Sequence, residues 1–173
     1  MALSDNIKNF TAGSIGVADS GGTNSLTADT DTGSFSVGEL QAVLNEVHPY
    51  FRRGRFKSAA YGERIVPAGT FEAMVAQFTD ATADVVQDLI LQRNKYSAAV
   101  STLGSAAKTP YALDLTFNME GTDYGDSVDH SFTMHDCIVK VSEFSEGDPN
   151  MIKFSFVCLG EITGDLAIDE LAA

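Results

Sequence analysis

Tryptophan is absent from this 173-residue chain, and cysteine is nearly so, with Cys137 and Cys158 alone. The missing tryptophan removes one of the two rings, Trp and Tyr, on which carbohydrate-binding modules usually stack their sugars. Two cysteines 21 positions apart, with no CxxC pair or His/Cys cluster beside them, do not make a zinc site. Each lies in an apolar, strand-like run, where free cysteine behaves as a small hydrophobe, so both are expected to be reduced core residues. Positive charge is also scarce: 11 Lys and Arg stand against 24 Asp and Glu, a formal net charge of −13. Gripping nucleic acid requires clustered cations, as does binding an anionic membrane, and the overall balance opposes both. No stretch approaches 18 consecutive apolar residues, so no transmembrane helix is expected. Met1–Phe10 carries Asp5 and Asn6 and has no apolar core, so no signal peptide is expected either.

What is present favours β structure. Hydrophobic residues make up 44% of the chain, enough for one core in one domain, and Phe (11) and Gly (15) accompany many Thr and Ser. Short strands are predicted around Ile15–Val17 and Ser25–Ala28, flanking the turn signal Asp19-Ser-Gly-Gly. From Leu40 to Phe78 the chain is rich in strand signals: Val43, Val47 and Tyr50 mark a first run. The cations Arg52–Lys57 then lead to an expected turn at Gly62-Glu63-Arg64. In Thr70–Phe78 both alternating sets are partly apolar, which predicts a strand covered on both sides. One helix of about three turns is predicted over 81–93, with Val85, Val86, Leu89 and Ile90 as its apolar stripe. Asp80 or Thr82 suits its N-cap, Asp84 its first turn and Arg93 its last. Tyr111–Met119 alternates with period two. In 131–144, Phe132 and Met134 share one parity while Cys137, Val139 and Val141 share the other, which predicts a bulge near Asp136. The turn Glu146–Asn150 should then close an antiparallel hairpin onto Ile152–Cys158. The fold class is mainly β: a single-domain β-sandwich or barrel with one flanking α-helix.

Chemical motifs are missing. There is no G-x-S-x-G elbow, P-loop or H-E-x-x-H. GSIGVADSGG is glycine-rich, but no helical periodicity follows it, as a dinucleotide fingerprint needs. His48, His130 and His135 are scattered, and a strand would put the last two on opposite faces. Asp123, Asp126 and Asp129 lack the ligand order of a calcium loop. No catalytic, metal or cofactor site is therefore expected. The informative cluster is basic: Arg52, Arg53, Arg55, Lys57 and Arg64 hold five of the 11 cations, with Phe51 and Phe56 among them. In so acidic a chain, these seven residues are better suited to meeting the acidic surface of another copy than to holding a polyanion.

The order of these segments resembles the major tail tube proteins of long-tailed, siphovirus-like bacteriophages, from about Gly13 to Gly160. The carrying pieces are GSIGVADSGG with LTADTDTGSFSV, then FRRGRFKSAAYGERIVPAGTFEAMV, the helix ATADVVQDLILQR, and the closing HDCIVKVSEFSEGDPNMIKFSFVCLG. The resemblance implies the phage tail tube fold over one domain, 1–173, with an arm at 1–12 and a tail at 161–173 that order on assembly. It implies rings, hexameric in that family, stacked into a hollow conduit for DNA ejection. Six copies at −13 each carry −78, a charge that would let DNA pass without specific binding. The implied partners are other copies, a tape measure protein in the lumen, and the tail terminator and tail tip proteins. The implied place is the virion tail, assembled in the host cytoplasm. A terminator or neck protein, a secretion-type tube protein and a β-sandwich binding module are the alternatives.

Overall fold

The computed structural model describes residues 13–28, 35–38, 45–75, 79–104, 108–119 and 128–165. Ten strands lie among the described residues: β1 (Gly13–Ala18), β2 (Ser25–Ala28), β3 (Phe35–Gly38), β4 (Asn45–Arg52), β5 (Arg55–Arg64), β6 (Ala68–Met74), β7 (Leu113–Met119), β8 (His130–Ser145), β9 (Met151–Cys158) and β10 (Ile162–Gly164). Eight of them form one antiparallel sheet in the order β2-β1-β7-β8-β9-β6-β3, with β10 added to β8. β4 and β5 make a separate two-stranded sheet. The mainly-β expectation is met.

The large sheet curls on itself. Strands lie about 4.8 Å apart, so β3 and β7, four positions from each other, would be separated by roughly 19 Å in a flat sheet. Instead Phe35 of β3 stacks on Phe117 of β7 with ring centroids 3.7 Å apart. Phe117 also stacks on Phe132 at 5.0 Å, and Phe71 on Phe154 at 4.9 Å. The inward residues of period-two strands, among them Val17, Leu115, Phe71, Phe154 and Phe156, are buried in this phenylalanine-rich interior.

β8 makes the curl possible by serving two neighbourhoods. Its first half pairs with β7 and β10, and its second half pairs with β9. Between them the register to β7 shifts, and Asp136 takes φ +54°. This is the bulge that the parity slip predicts, and it turns Cys137 onto the inner face that Met134 occupies before it. β8 and β9 form the expected antiparallel hairpin.

Three local expectations are corrected. The helix is one short α1 (Val86–Ile90), not three turns. The acidic residues assigned to the N-cap and first turn do other work: Asp80 accepts from the Thr82 and Ala83 amides at 2.7 and 3.0 Å, and Asp84 from Lys95 Nζ at 2.6 Å and from the Tyr96 hydroxyl. Asp88, only 1% exposed, accepts from Thr79 Oγ1 (2.9 Å), Asn94 Nδ2 (2.8 Å) and Arg93 Nη2 (2.9 Å). These bonds draw the flanking segments over the helix, and Gln92 and Asn94 end it with positive φ. Second, β6 is covered on one side only: Phe71 and Ala73 are buried, while Glu72 on the other face pairs with Lys153 at 3.3 Å. Third, Gly62–Arg64 is not a turn but the end of β5.

Leu40, Val43, Phe78, Asp123 and Asp126 lie outside the described residues, as do the arm at 1–12 and the chain from 166. At the start of the expected C-terminal tail, Ile162 is buried on β8.

Candidate assembly interface

Arg53 and Gly54 form a two-residue turn in which both φ are positive, +51° and +74°. That is the type I′ geometry whose twist matches the strands it joins, and glycine at its second position needs no strain. β4 and β5 extend from it in register as Arg52↔Arg55, Phe51↔Phe56, Tyr50↔Ser58, Pro49↔Ala59, His48↔Ala60 and Val47↔Tyr61. An extra residue in β5, Lys57, sits between the Phe51 and Tyr50 pairs. Alternation along β4, carried across by these partners, sorts the ribbon into two faces. One holds Val47, Pro49, Phe51, Phe56, Ala59 and Tyr61. The other holds His48, Tyr50, Arg52, Arg55, Ser58 and Ala60.

The apolar face is open to solvent. Phe51 is 64% exposed, Phe56 62%, Tyr61 65% and Val47 53%. The two phenylalanines touch only edge to face, at 6.1 Å and 74°. Arg52, Arg53, Arg55 and Lys57 crowd the apex, and no carboxylate occurs between Glu46 and Glu63. Of the seven residues singled out from sequence, six meet at this apex. Arg64 stands at the base, where its Nη2 donates to the Gly160 carbonyl at 3.4 Å. Sequence reasoning missed Val47, Pro49, Ala59 and Tyr61 as one face. The alternation was present, but the Lys57 bulge broke its parity on the return strand.

Elsewhere, a cavity of about 450 Å³ is lined by Ser20, Thr102, Asp114, His135, Asp136 and Glu161, among others. His135 bridges there between Asp114 (Nδ1 to Oδ2, 3.1 Å) and Thr163 (Nε2 to Oγ1, 3.1 Å), fastening β10 to the sheet. No group of three or more His, Cys, Asp or Glu among the described residues is placed to hold a metal ion. No described helix is long and apolar enough to cross a membrane.

No protein-family model matches this chain, and a search of curated proteins finds no match. Solved structures do match. One is a chain of the sheath–tube complex of an extracellular contractile injection system, PVC, in its extended state, at TM-score 0.52 and 9% identity, covering 94% of each chain. Another belongs to the baseplate of the anti-feeding prophage, AFP, at TM-score 0.49 and 9% identity, covering 94% of this chain and 98% of that one. The first match shows a fold shared over most of both chains with a chain of that sheath–tube complex.

Proposed function

We propose that this chain is a structural, non-enzymatic subunit of a phage-tail-like tube, which polymerises through the β4–β5 hairpin. The carrying observation is that hairpin. A lone two-stranded ribbon is marginal in water, and this one adds an exposed apolar face and a cationic apex in a chain of net charge −13. Seated on another copy, the ribbon would bury Phe51 and Phe56, and its arginines would meet acidic surface. The shared fold supports the same reading, since that neighbour comes from a sheath–tube complex.

In its full form the reading is a stack of rings, six subunits to a ring, around an acidic bore that conducts DNA. Its partners are further copies, a tape measure protein, and terminator and tip proteins, within a virion tail, and it uses no cofactor. A tube enclosed by a contractile sheath is the second reading, favoured by the origin of the structural neighbour. Negative-stain electron microscopy and light scattering of the purified chain test the proposal. Hollow filaments or stacked rings support it, and their loss in the R52E/R53E/R55E variant supports the role of the apex. A monomer that stays monomeric when given tail-tip complex overturns the tube reading. Wild-type tube yield from the triple variant overturns the role of the arginines.

A further inference from the structure

Cys137 of β8 and Cys158 of β9 are register partners, both fully buried on the inner face. The surrounding ladder defines what kind of pair they are. Leu159 N donates to the Asp136 carbonyl at 3.2 Å, whereas Cys158 N points the other way, donating to Pro67 at 2.8 Å. Asp136 and Leu159 therefore bond across the two strands, and the adjacent Cys137/Cys158 pair is non-hydrogen-bonded. Opposed Cα atoms in such pairs lie about 4.5 Å apart with side chains leaning together. That separation falls within the range of about 4.4–6.8 Å that a disulfide spans. Both sulfurs lie near one atom: the His135 carbonyl oxygen is 3.2 Å from Cys158 Sγ and 3.9 Å from Cys137 Sγ, whose nearer acceptor is the Met134 carbonyl at 3.4 Å. The Asp136 bulge presents that carbonyl, and Leu113 of β7 pairs with Cys137 on its other side.

We propose that Cys137 and Cys158 are a modification site: a dithiol that closes to an intrachain disulfide when it meets a low-molecular-weight disulfide, stapling β8 to β9 where the sheet bends. The Cys158 thiolate attacks one sulfur of oxidised glutathione, and the first glutathione leaves as its thiolate. Cys137 then passes its proton to the released glutathione thiolate and attacks the Cys158 sulfur of the mixed disulfide, expelling the second glutathione as its thiolate. Two protein thiols are oxidised and one glutathione disulfide is reduced to two thiols. Cys158 is suited to attack first. The thiol of Cys137 supports its negative charge, as do the Gly160 amide and the nearby Arg64, while Cys137 is pushed up by its bond to Cys158 and by burial. Neither sulfur is exposed and neither cysteine lines the cavity, but the residues flanking them, His135, Asp136, Leu159 and Gly160, do, so the reagent reaches the pair when these flanking segments open locally.

The test does not depend on the tube reading. The full-length chain is equilibrated over a series of oxidised-to-reduced glutathione ratios, alkylated under denaturing conditions and weighed intact. The expected product is about 2 Da lighter than the reduced chain, accepts no alkylating agent and yields one peptide pair linked through 137 and 158. Closing a loop of about 20 residues should raise its melting midpoint by roughly 5–12 °C. C137S should keep a glutathione adduct on Cys158 and show no such rise. Two alkylatable thiols at the most oxidising ratio, even after unfolding and refolding in the same buffer, overturn the proposal. So do stable glutathione adducts on the unsubstituted chain, or disulfides between chains.

Discussion

Replacing Phe51 and Phe56 together by alanine should separate folding from assembly. A buried phenylalanine covers roughly 150–250 Å². With Phe51 64% and Phe56 62% exposed, each has on the order of 125 Å² still to bury. At about 25 cal/mol per Å², full burial against another copy is worth about 3 kcal/mol per ring, an upper limit before side-chain ordering is subtracted. Every 1.4 kcal/mol is a factor of ten in affinity. Even a quarter of the combined limit would therefore raise the critical concentration for polymerisation about tenfold. Within the monomer, the loss is the edge-to-face contact, about 0.5–1.5 kcal/mol, and it falls on a hairpin outside the main sheet. The melting midpoint of the body should move by less than about 5 °C. Sedimentation velocity over a concentration series reads the assembly, and circular dichroism melting reads the fold. An unchanged critical concentration would refute the reasoning. So would a midpoint lowered by 10 °C or more, because the ribbon would then belong to the core.

Two further perturbations probe the body. Asp88→Asn keeps the shape of the side chain but loses the charge. Burial opposes ionisation of Asp88, yet bonds from Asn94, Thr79 and the Asp80 amide, with the charge of Arg93, outweigh it and hold the carboxyl below its ordinary range. A depressed folded value gives stability that is present above the unfolded pKa, about pH 4, and lost as pH falls through the folded value. The variant should be about 2 kcal/mol less stable at pH 7, and the gap should close below pH 4 in urea titrations. A gap that persists at pH 2 would assign the loss to packing instead. Gly69→Ala should lower the melting midpoint by roughly 3–10 °C, since an added Cβ would lie 2.3 Å from the Ser36 carbonyl and 2.6 Å from Phe156 Cζ. An unchanged midpoint would mean that β3, at the sheet edge, gives way without cost.

Periodicity made the interior legible wherever one face of a strand is buried and the other wet. Leu113, Leu115 and Phe117 are buried as their spacing requires, and the slip at Asp136 marks a real bulge. Reading failed where carboxylates bond to the flanking segments instead of capping a helix. Asp80, Asp84 and Asp88 fit a helical pattern by composition, but each is taken by a bond from beyond the helix, and one turn of α-helix remains. Reading also failed where a pattern continues outside the core. Val47, Pro49 and Phe51 alternate as a buried strand would, yet nothing in the sequence says that the ribbon leaves the body. The curl that brings Phe35 onto Phe117 was equally hidden, because it depends on strand order.

The distribution of charge constrains how copies can meet. Residues 45–64 hold Arg52, Arg53, Arg55, Lys57 and Arg64 against Glu46 and Glu63, a net of +3, which leaves −16 on the rest of the chain. A two-fold contact apposing two hairpins would set cations against cations at the apex, whereas a head-to-tail contact sets the apex against the acidic body. Head-to-tail contacts between identical chains generate rings or filaments rather than closed dimers, which is the geometry a tube requires. Arg53→Cys, made in a chain that also carries C137S and C158S, distinguishes the two arrangements. Position 53 is at the turn, so hairpins meeting apex to apex would bring these thiols together and mild oxidation would convert most of the chain to covalent dimers. Head-to-tail assembly should leave the chain monomeric on a non-reducing denaturing gel, while Arg52, Arg55 and Lys57 keep the apex cationic and the same sample still forms filaments by electron microscopy, at a raised critical concentration. Rapid, near-complete dimer formation would show that the hairpins meet each other, and the electrostatic reasoning would fail with it.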